Sequence, residues 1–370
     1  METIYCNTFA DEWGPAKIVH LFEPSLPLKA IVVIDNIALG PAIGGVRIAP
    51  DLSTEEVFRL ARTMTWKNAA AGLPHGGGKA GIVMASTVAG SEKERAIRGF
   101  ARAIADLKEY IPGPDMGTDE TCMAYIYDEI QRSVGRPKIT GGIPLDELGV
   151  TGFGLAVAAE QIADHLGISL RGLRVAVQGF GSVGRAVARF LEQRGCLLVA
   201  ASDSTGAIYN PKGIDPARLI AVKKDRGRVL NYPDADAIPL ETLFTLPCDI
   251  LVPAARPDAI TMANASCVQA RIVLQGANIP VTPEAESYFQ KCGISTLPDF
   301  IVNAGGVICT AVEYRRGSAA EAFQTITEKI KENCRTVLHS VQRDNLSPRE
   351  AAYRLAQDRV RQASRYQRHF

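Results

Sequence analysis

The segment Gly179-Phe180-Gly181-Ser182-Val183-Gly184 constrains the fold of this chain more than any other. It follows the apolar run Arg174-Val175-Ala176-Val177 and opens a stretch in which Val187, Phe190 and Leu191 recur at helical spacing. Glycines at a strand-to-helix junction permit a tight turn and let backbone N–H groups approach a pyrophosphate. A second apolar run, Leu197 to Ser202, ends in Asp203, nineteen residues beyond Gly184, where an acid accepts hydrogen bonds from an adenosine ribose. The same glycines also suit a turn in an α/β domain that binds no nucleotide. Strand, turn, helix and acid in this order nevertheless point to a dinucleotide, with Gly179, Gly181, Ser182, Val183, Gly184, Asp203 and Ser204 as expected contacts. Asp203 repels a 2′-phosphate while Ser204, Thr205 and Lys212 accommodate one, so NAD and NADP are both compatible.

From about Val150 short apolar strands alternate with helical segments, at Asp249 to Val252, Arg271 to Leu274 and Gly293 to Leu297, the pattern of a parallel sheet covered by helices. The N-terminal third reads differently. Apolar runs such as Ala30 to Ile34 mix with glycine turns, then a helix from about Ser53 to Ala71 carries Val57, Leu60 and Met64 on one face. Two more helices follow, one opened by a capping box at Ser91-Glu92-Lys93-Glu94 and one after Thr118 with Asp119 and Glu120 in its first turn. The chain ends in helices from about Ser318 to Gln342 and after Ser347-Pro348-Arg349-Glu350, a second capping box. At 370 residues two domains are expected, with a hinge near Leu145 to Gly154.

Charge and composition exclude several classes. Lys plus Arg number 41 against 40 Asp plus Glu, which argues against nucleic acid as the main partner. Hydrophobic residues at 46% and charged residues at 22% are those of a globular chain rather than a disordered one. Met1 to Gly14 lacks the basic start and apolar stretch of a secretory signal, and no apolar run reaches about 18 residues, so a soluble, cytoplasmic protein without a membrane partner is expected. Eight scattered cysteines without a C-x-x-C pair read as reduced thiols, with no metal site.

Two lysines stand out. Lys67 continues the series Val57, Leu60, Met64, so it projects from the apolar stripe of its helix, where an ammonium is costly unless paired; a lysine at a helix end also snorkels to solvent. Lys79 lies in Leu73-Pro74-His75-Gly76-Gly77-Gly78-Lys79-Ala80-Gly81, read as a glycine-rich loop that lets a small ligand approach the ammonium. The phosphate-binding pattern G-x-x-x-x-G-K-[ST] is not met, because alanine follows the lysine. A lysine desolvated beside a second cation has a lowered pKa, suited to acid–base work near neutrality. Asp115, within Pro112-Gly113-Pro114-Asp115-Met116-Gly117-Thr118, sits in a rigid turn before a helix, where an ordinary helix-entry aspartate is the plainer alternative.

Taken in order, these segments resemble the glutamate/leucine/phenylalanine/valine dehydrogenases over nearly the whole chain. The matching stretches are Gly40 to Arg47, Met64 to Asn68, the surroundings of Lys79, Pro114 to Thr118, Thr151 to Gly154, the Gly179 turn, Pro253-Ala254-Ala255, Gly276-Ala277-Asn278 and Asn303 to Val307. The resemblance implies an α/β substrate and oligomerisation domain over residues 1–148, to which a C-terminal helix at 345–370 returns. It further implies a Rossmann-type NAD(P)-binding domain over 149–344, with a cleft between the two. It implies reversible deamination of an L-amino acid to a 2-oxo acid and ammonia. Lys67, helped by backbone at Gly44 and Gly45, then holds the substrate α-carboxylate, Lys79 polarises the 2-oxo group and activates water, and Asp115 shuttles protons. Thr151, Ala254, Asn278 and Asn303 fall near the cofactor, and Asn303 also near the substrate amino group. A homo-oligomer, hexamer or octamer, is implied as well.

In glutamate-specific members the residue before the paired glycines is typically a lysine that binds the side-chain carboxylate, assisted by a serine after the Asn-Ala-Gly-Gly-Val run. Here those positions are Ile43 and Thr310, with Val307 one turn earlier. An isoleucine leaves a buried carboxylate unpaired, so an uncharged, apolar substrate side chain is expected. The alternative is a glutamate dehydrogenase with an altered side-chain pocket, because the middle of the chain looks more like that branch. A hydroxy-acid dehydrogenase would need a catalytic histidine, and only His75 lies in a motif, where packing is its expected role. A catalytically silent nucleotide-binding protein would lack Lys67, Lys79 or Asp115, and all three are present.

Overall fold

The computed structural model describes residues 9–24, 28–85 and 87–366. Cys6 and the first part of the Met1 to Gly14 stretch lie outside the described residues. The chain divides into two compact units, and neither is one continuous segment. The first runs to Pro144 and adds Val307–Ala322 and the chain from Tyr353; the second comprises Leu145–Gly306 and Phe323–Ala352. Residues 307–322 therefore leave the stretch expected as 149–344, and the C-terminal return begins at Tyr353 rather than at 345.

In the first unit, strands β1 (Lys17–Glu23), β2 (Leu28–Asn36), β3 (Ala42–Ala49), β4 (Gly76–Val83) and β5 (Tyr110–Pro114) form one sheet in the order β1-β2-β4-β3-β5. The first two pairings are antiparallel, and β4, β3 and β5 run parallel. One face carries Val32, Ile34, Val46, Ile48 and Ile82, and packs with Ile97 and Phe100 of α2 (Gly90–Ala103) and Met123 and Ile126 of α3 (Glu120–Ile130). The opposite face, with Ile31 and Val33, packs against Val57 and Ala61 of α1 (Thr54–Ala70).

The stretch Gly76 to Gly81, read as a loop from its glycines, is instead part of strand β4, bonded between β2 and β3. Glycine is a poor strand former in isolation, but α1 approaches so closely that a Cβ at Gly77 would sit 2.0 Å from the Thr65 nitrogen. The same approach selects small residues on the helix. Val57, Ala61, Thr65 and Asn68 are buried, whereas Leu60, Met64 and Lys67 are only partly so, and the stripe inferred from sequence is offset by about one residue. Ser53 caps α1 through the Glu56 N–H. The capping box expected at Ser91 does not form, because α2 begins at Gly90 and Ala89 is its uncapped N-cap. Asp119 is the N-cap of α3, accepting from the Cys122 N–H at 2.9 Å.

The second unit holds a seven-stranded sheet built from β6 (Arg174–Gln178), β7 (Leu197–Asp203), β8 (Gly206–Tyr209), β9 (Asp236–Ile238), β10 (Ile250–Pro253), β11 (Ile272–Leu274) and β12 (Ser295–Leu297). Their order is β12-β11-β10-β6-β7-β8-β9, parallel except for the β7-β8-β9 meander at one edge. The chain leaves β6 toward β7 and later returns to β10 on its other side, so the strand order reverses there; ligands of open α/β sheets bind at such a point.

Helices of this unit are α4 (Leu145–Leu148), α5 (Val150–His165), α6 (Ser182–Glu192), α7 (Pro216–Arg226), α8 (Pro283–Lys291) and α9 (Asp299–Val302). Then come α10 (Gly305–Tyr314), α11 (Ala319–Asp344) and α12 (Pro348–Ser364). The Phe153 ring of α5 packs edge-on to Phe190 of α6 at 5.2 Å and to Phe323 of α11 at 4.8 Å. At the start of α12 the Ser347 N–H donates to Glu350 and the Glu350 N–H to Ser347 Oγ, the expected reciprocal cap. Among the described residues no helix is long and apolar enough to cross a membrane, and no group of three or more His, Cys, Asp or Glu side chains is placed to hold a metal ion.

Candidate active site and dinucleotide turn

Strand periodicity builds the candidate acid–base site of the first unit. Ile43, Gly45 and Arg47 alternate along β3 and lie beside Gly77, Lys79 and Gly81 of β4. On the other side of β3, Val46 pairs with Pro114, so Asp115 emerges next to Arg47. Lys79 Nζ lies 3.0 Å from Asp115 Oδ2, and Arg47 Nε donates to the same oxygen at 2.8 Å. Arg47 Nη1 donates in turn to Glu56 Oε1 of α1 at 2.9 Å. A Cβ at Gly45 would fall 2.7 Å from Asp115 Cβ and 3.2 Å from Lys79 Nζ; the missing side chain is what opens space beside the ammonium.

Lys79 is 5% exposed, and burial pushes its ammonium pKa down; Asp115 opposes that shift and Arg47 adds to it. Burial pushes the Asp115 carboxyl up, but the charges of Lys79 and Arg47 outweigh it and hold the group below the usual carboxylate range. Thr118 orients the aspartate, its hydroxyl accepting from the Asp115 N–H at 2.9 Å and donating to the Val46 carbonyl at 2.8 Å.

Lys67 is half-buried in the last turn of α1. The next residue, Asn68, donates to the Gly76 carbonyl at 2.6 Å and to that of Ile43 at 3.4 Å, which places this turn beside the paired glycines. Tyr110, fully buried beneath them, donates to the Gly44 carbonyl at 2.9 Å. Ile43 itself is buried with Ile111 and Val134. Thr310 directs its hydroxyl proton back to the Val307 carbonyl at 2.9 Å within α10. His75 is buried, its ring edge-on to Tyr314, and burial lowers its pKa.

In the second unit a separate candidate site, for a dinucleotide, lies at the carboxyl end of β6. Gly179 has φ +93°, and a Cβ there would come within 2.7 Å of Ala255, just past β10. A Cβ at Gly184 would strike the Gly179 carbonyl at 2.0 Å, so this glycine lets α6 pack on the turn. One at Gly181 would meet nothing within 4 Å, and no side chain caps α6 at that residue. The first-turn N–H groups, those of Ser182 and Val183 among them, therefore face open ground, as an anion site requires.

The Ser182 hydroxyl already donates to Asp146 at 2.8 Å, leaving its amide for a ligand. Asn303 donates to the Ala277 carbonyl at 3.1 Å and to Asn278 Oδ1 at 3.3 Å, and Thr151 Oγ1 lies 3.3 Å from a Cβ built at Gly306. Ala254 follows β10, bonded to the Gln178 carbonyl. Among the described residues the buried side-chain acceptors without a partner are Asn68 Oδ1, Gln178 Oε1, Gln275 Oε1 and Asn303 Oδ1; Gln178 at the end of β6 and Asn303 beside Asn278 fit a site completed by a cofactor.

Asp203 departs from the simple ribose picture. Its carboxylate accepts from the Thr205 N–H and hydroxyl, from Lys223 Nζ at 2.8 Å and from the Val229 N–H at 3.0 Å, and these bonds hold its pKa at about 2 against the effect of burial. All four lone-pair positions are taken, so a ribose hydroxyl would have to share them. Ser204 and Thr205 beside it are exposed.

Sequence reasoning missed Arg47, Glu56 and Thr118. The signal for Arg47 is its period-two spacing from Ile43 and Gly45, legible only once the glycine-containing β3 is read as a strand. Glu56 and Thr118 have no such signal, since a helix-entry acid and a turn threonine are ordinary.

Comparison with known proteins agrees with this geometry. Residues 141–368 match the family model described as Glutamate/Leucine/Phenylalanine/Valine dehydrogenase, and residues 25–132 match that of the Glu/Leu/Phe/Val dehydrogenase dimerisation domain. A glutamate dehydrogenase from Aeropyrum pernix is 40% identical over 349 residues, 88% of this chain and 83% of that protein. The hetero-hexameric glutamate dehydrogenase of Thermus thermophilus in its Leu-bound form superposes with TM-score 0.87 at 31% identity, covering 96% of this chain and 91% of the other. L-tryptophan dehydrogenase from Nostoc punctiforme superposes with TM-score 0.75 at 26% identity, over 95% and 97%. Matches over both the glycine-bearing sheet with its Lys79–Asp115 pair and the dinucleotide turn place this chain in the Glu/Leu/Phe/Val dehydrogenase family, as an amino acid dehydrogenase.

Proposed function

We propose that the enzyme deaminates an L-amino acid with an uncharged, apolar side chain, reversibly and with NAD(P), to the 2-oxo acid and ammonia. The observation that carries the substrate choice is Ile43, buried with Ile111 and Val134 where a carboxylate would need a cation. Thr310 supports it, because the hydroxyl proton that would meet a carboxylate is held by Val307. Arg136, a buried arginine of the same unit, is engaged by Glu313 and the carbonyls of Thr140 and Gly141.

Lys67, with the backbone at Gly44 and Gly45, holds the substrate α-carboxylate. When bound, a nicotinamide would supply the acceptor for the hydride on Cα, and the substrate would be left as an iminium. Lys79, deprotonated, takes a proton from the water that adds to that carbon. Asp115, ionised because its pKa is lowered, takes a proton from the substrate ammonium before hydride transfer and returns it to the nitrogen of the water adduct. The C–N bond then breaks, ammonia leaves, and the adduct's hydroxyl proton passes to Asp115 as the 2-oxo group forms. The first-turn amides of α6 and the Gly179 turn hold the pyrophosphate, and Thr151, Ala254, Asn278 and Asn303 contact the cofactor.

Both NAD and NADP are accepted, because Lys223 offsets the Asp203 charge that would repel a 2′-phosphate. Lys223→Met is expected to lower kcat/KM with NADP relative to NAD by about tenfold, and an unchanged ratio would remove the argument. A homo-oligomer is expected, given the dimerisation-domain match and the β1 edge of the sheet, and light scattering tests it.

The test of the whole reading is turnover of leucine, valine, phenylalanine and glutamate with each cofactor. A second reading, glutamate as substrate, is favoured by the names of the relatives, and glutamate winning by a wide margin would establish it against the first. Ile43→Lys is expected to raise kcat/KM for glutamate by about tenfold; no gain means that Ile43 does not face the substrate side chain.

A further inference from the structure

We propose that Arg47 is a positioning residue for the Asp115–Lys79 pair and that Glu56 holds Arg47, so that Glu56, Arg47, Asp115 and Lys79 act as one line of alternating charge. The inference rests on the reading of Lys79 and Asp115 as the acid–base pair. One guanidinium ties two carboxylates, Glu56 Oε1 at 2.9 Å and Asp115 Oδ2 at 2.8 Å, and the second shares its oxygen with Lys79 at 3.0 Å. Both cations fall on Oδ2, so neither occupies Oδ1, the oxygen left to exchange a proton with substrate. The backbone keeps this arrangement in register. Arg47 sits opposite Gly81 on β4, two residues from Gly45 on the same face, and Glu56 is anchored by the Ser53 cap of α1.

Other charged groups on the packed elements are Lys29 and Asp35 of β2, the latter bound to Arg62 and Thr65, and Glu55, Arg59, Arg62 and Lys67 of α1. Burial pushes the Tyr110 phenol of β5 up, and the Asp115 charge adds to that. Against that background Arg47 and Glu56 act on Lys79 with opposite signs. Arg47 repels the ammonium and favours its loss of a proton, whereas Glu56 stabilises the charged form. A group that merely props up the fold would not produce opposite shifts.

The test is the pH profile of kcat/KM for oxidative deamination, using the fastest amino acid of the panel above. Its rising limb reports Lys79 losing its proton. Glu56→Gln is expected to move that limb to lower pH by about half a unit. Arg47→Met is expected to move it to higher pH and to lower kcat about 10- to 100-fold with KM little changed. Arg47→Lys restores the limb but only part of kcat, because an ammonium lacks the planar fork. If Arg47→Met does not fold, the partly exposed Glu56→Gln and the charge-conserving Arg47→Lys still decide it. An unmoved limb in Glu56→Gln, or a shift of both charge variants in the same direction, overturns the inference while Lys79→Met remains inactive. A fully active Lys79→Met removes the acid–base reading beneath it instead.

Discussion

Lys79→Met is expected to lower kcat for oxidative deamination by about a thousandfold while leaving the fold intact. Methionine keeps most of the apolar stem but can neither take the proton from water nor polarise the 2-oxo group. The effect on stability should run the other way. Burial lowers the Lys79 pKa below its unfolded value, so the folded state binds the proton less well than the unfolded chain does. Below the folded pKa the lysine therefore costs its full share of stability. That cost shrinks as pH rises toward the ordinary lysine range near 10.4 and vanishes above it. Removing the buried ammonium relieves the cost, and Arg47 still pairs Asp115. Thermal unfolding at neutral pH should show Lys79→Met no less stable than the parent, against an activity close to zero. Retention of full activity would end the mechanism.

Glu313→Ala is expected to have the largest effect on stability, a loss of about 3–5 kcal/mol. Glu313 is 2% exposed on α10 and accepts from the backbone N–H groups of Gly135 at 3.1 Å, Arg136 at 3.2 Å and Ile143 at 3.1 Å, and from Arg136 Nε at 3.3 Å. Alanine would leave three buried amides and a guanidinium without their acceptor, and each unsatisfied donor costs about 1–3 kcal/mol. Glu313→Gln keeps one acceptor oxygen and should lose roughly half as much. Because two units need not unfold together, the sharper measurement is hydrogen exchange at the amides of Gly135, Arg136 and Ile143. Their protection should fall selectively. A loss below about 1 kcal/mol with unchanged exchange would mean that this segment is held by other contacts. Thr310 lies one turn earlier on the same helix, so KM for the amino acid should rise as well.

How far these features were legible depends on how local their causes are. The Ser347–Glu350 cap rests on interactions within a few residues. The Gly179 turn and strands β6, β7 and β10 to β12 show as glycines and short apolar runs that can be read in order along the chain, although their bonding partners are distant. The Ser91 box failed because the same four-residue pattern fits inside a helix as well as at its start, and α2 begins one residue earlier. Strand β8 has four residues and lies between β7 and β9, and β9 is a three-residue edge strand; both are too short to show a period of their own.

Residue order alone was enough for the α/β class and the family, and it placed the strand-turn-helix at Gly179 and singled out Lys79 and Asp115 as candidates. Folding had to decide the rest. The glycine-rich stretch is strand β4, and α1 packs on it so closely that Gly77 and Gly81 have no room for a side chain, a constraint set by Thr65 and Val57, twelve and twenty-four residues away. Arg47 joined Lys79 and Asp115 because β3 lies between β4 and β5, which brings residues 47, 79 and 115 together. Asp203 turned inward to Lys223 and Val229 for the same reason: a carboxylate binds the donors that tertiary packing places around it, and spacing along the chain does not specify them.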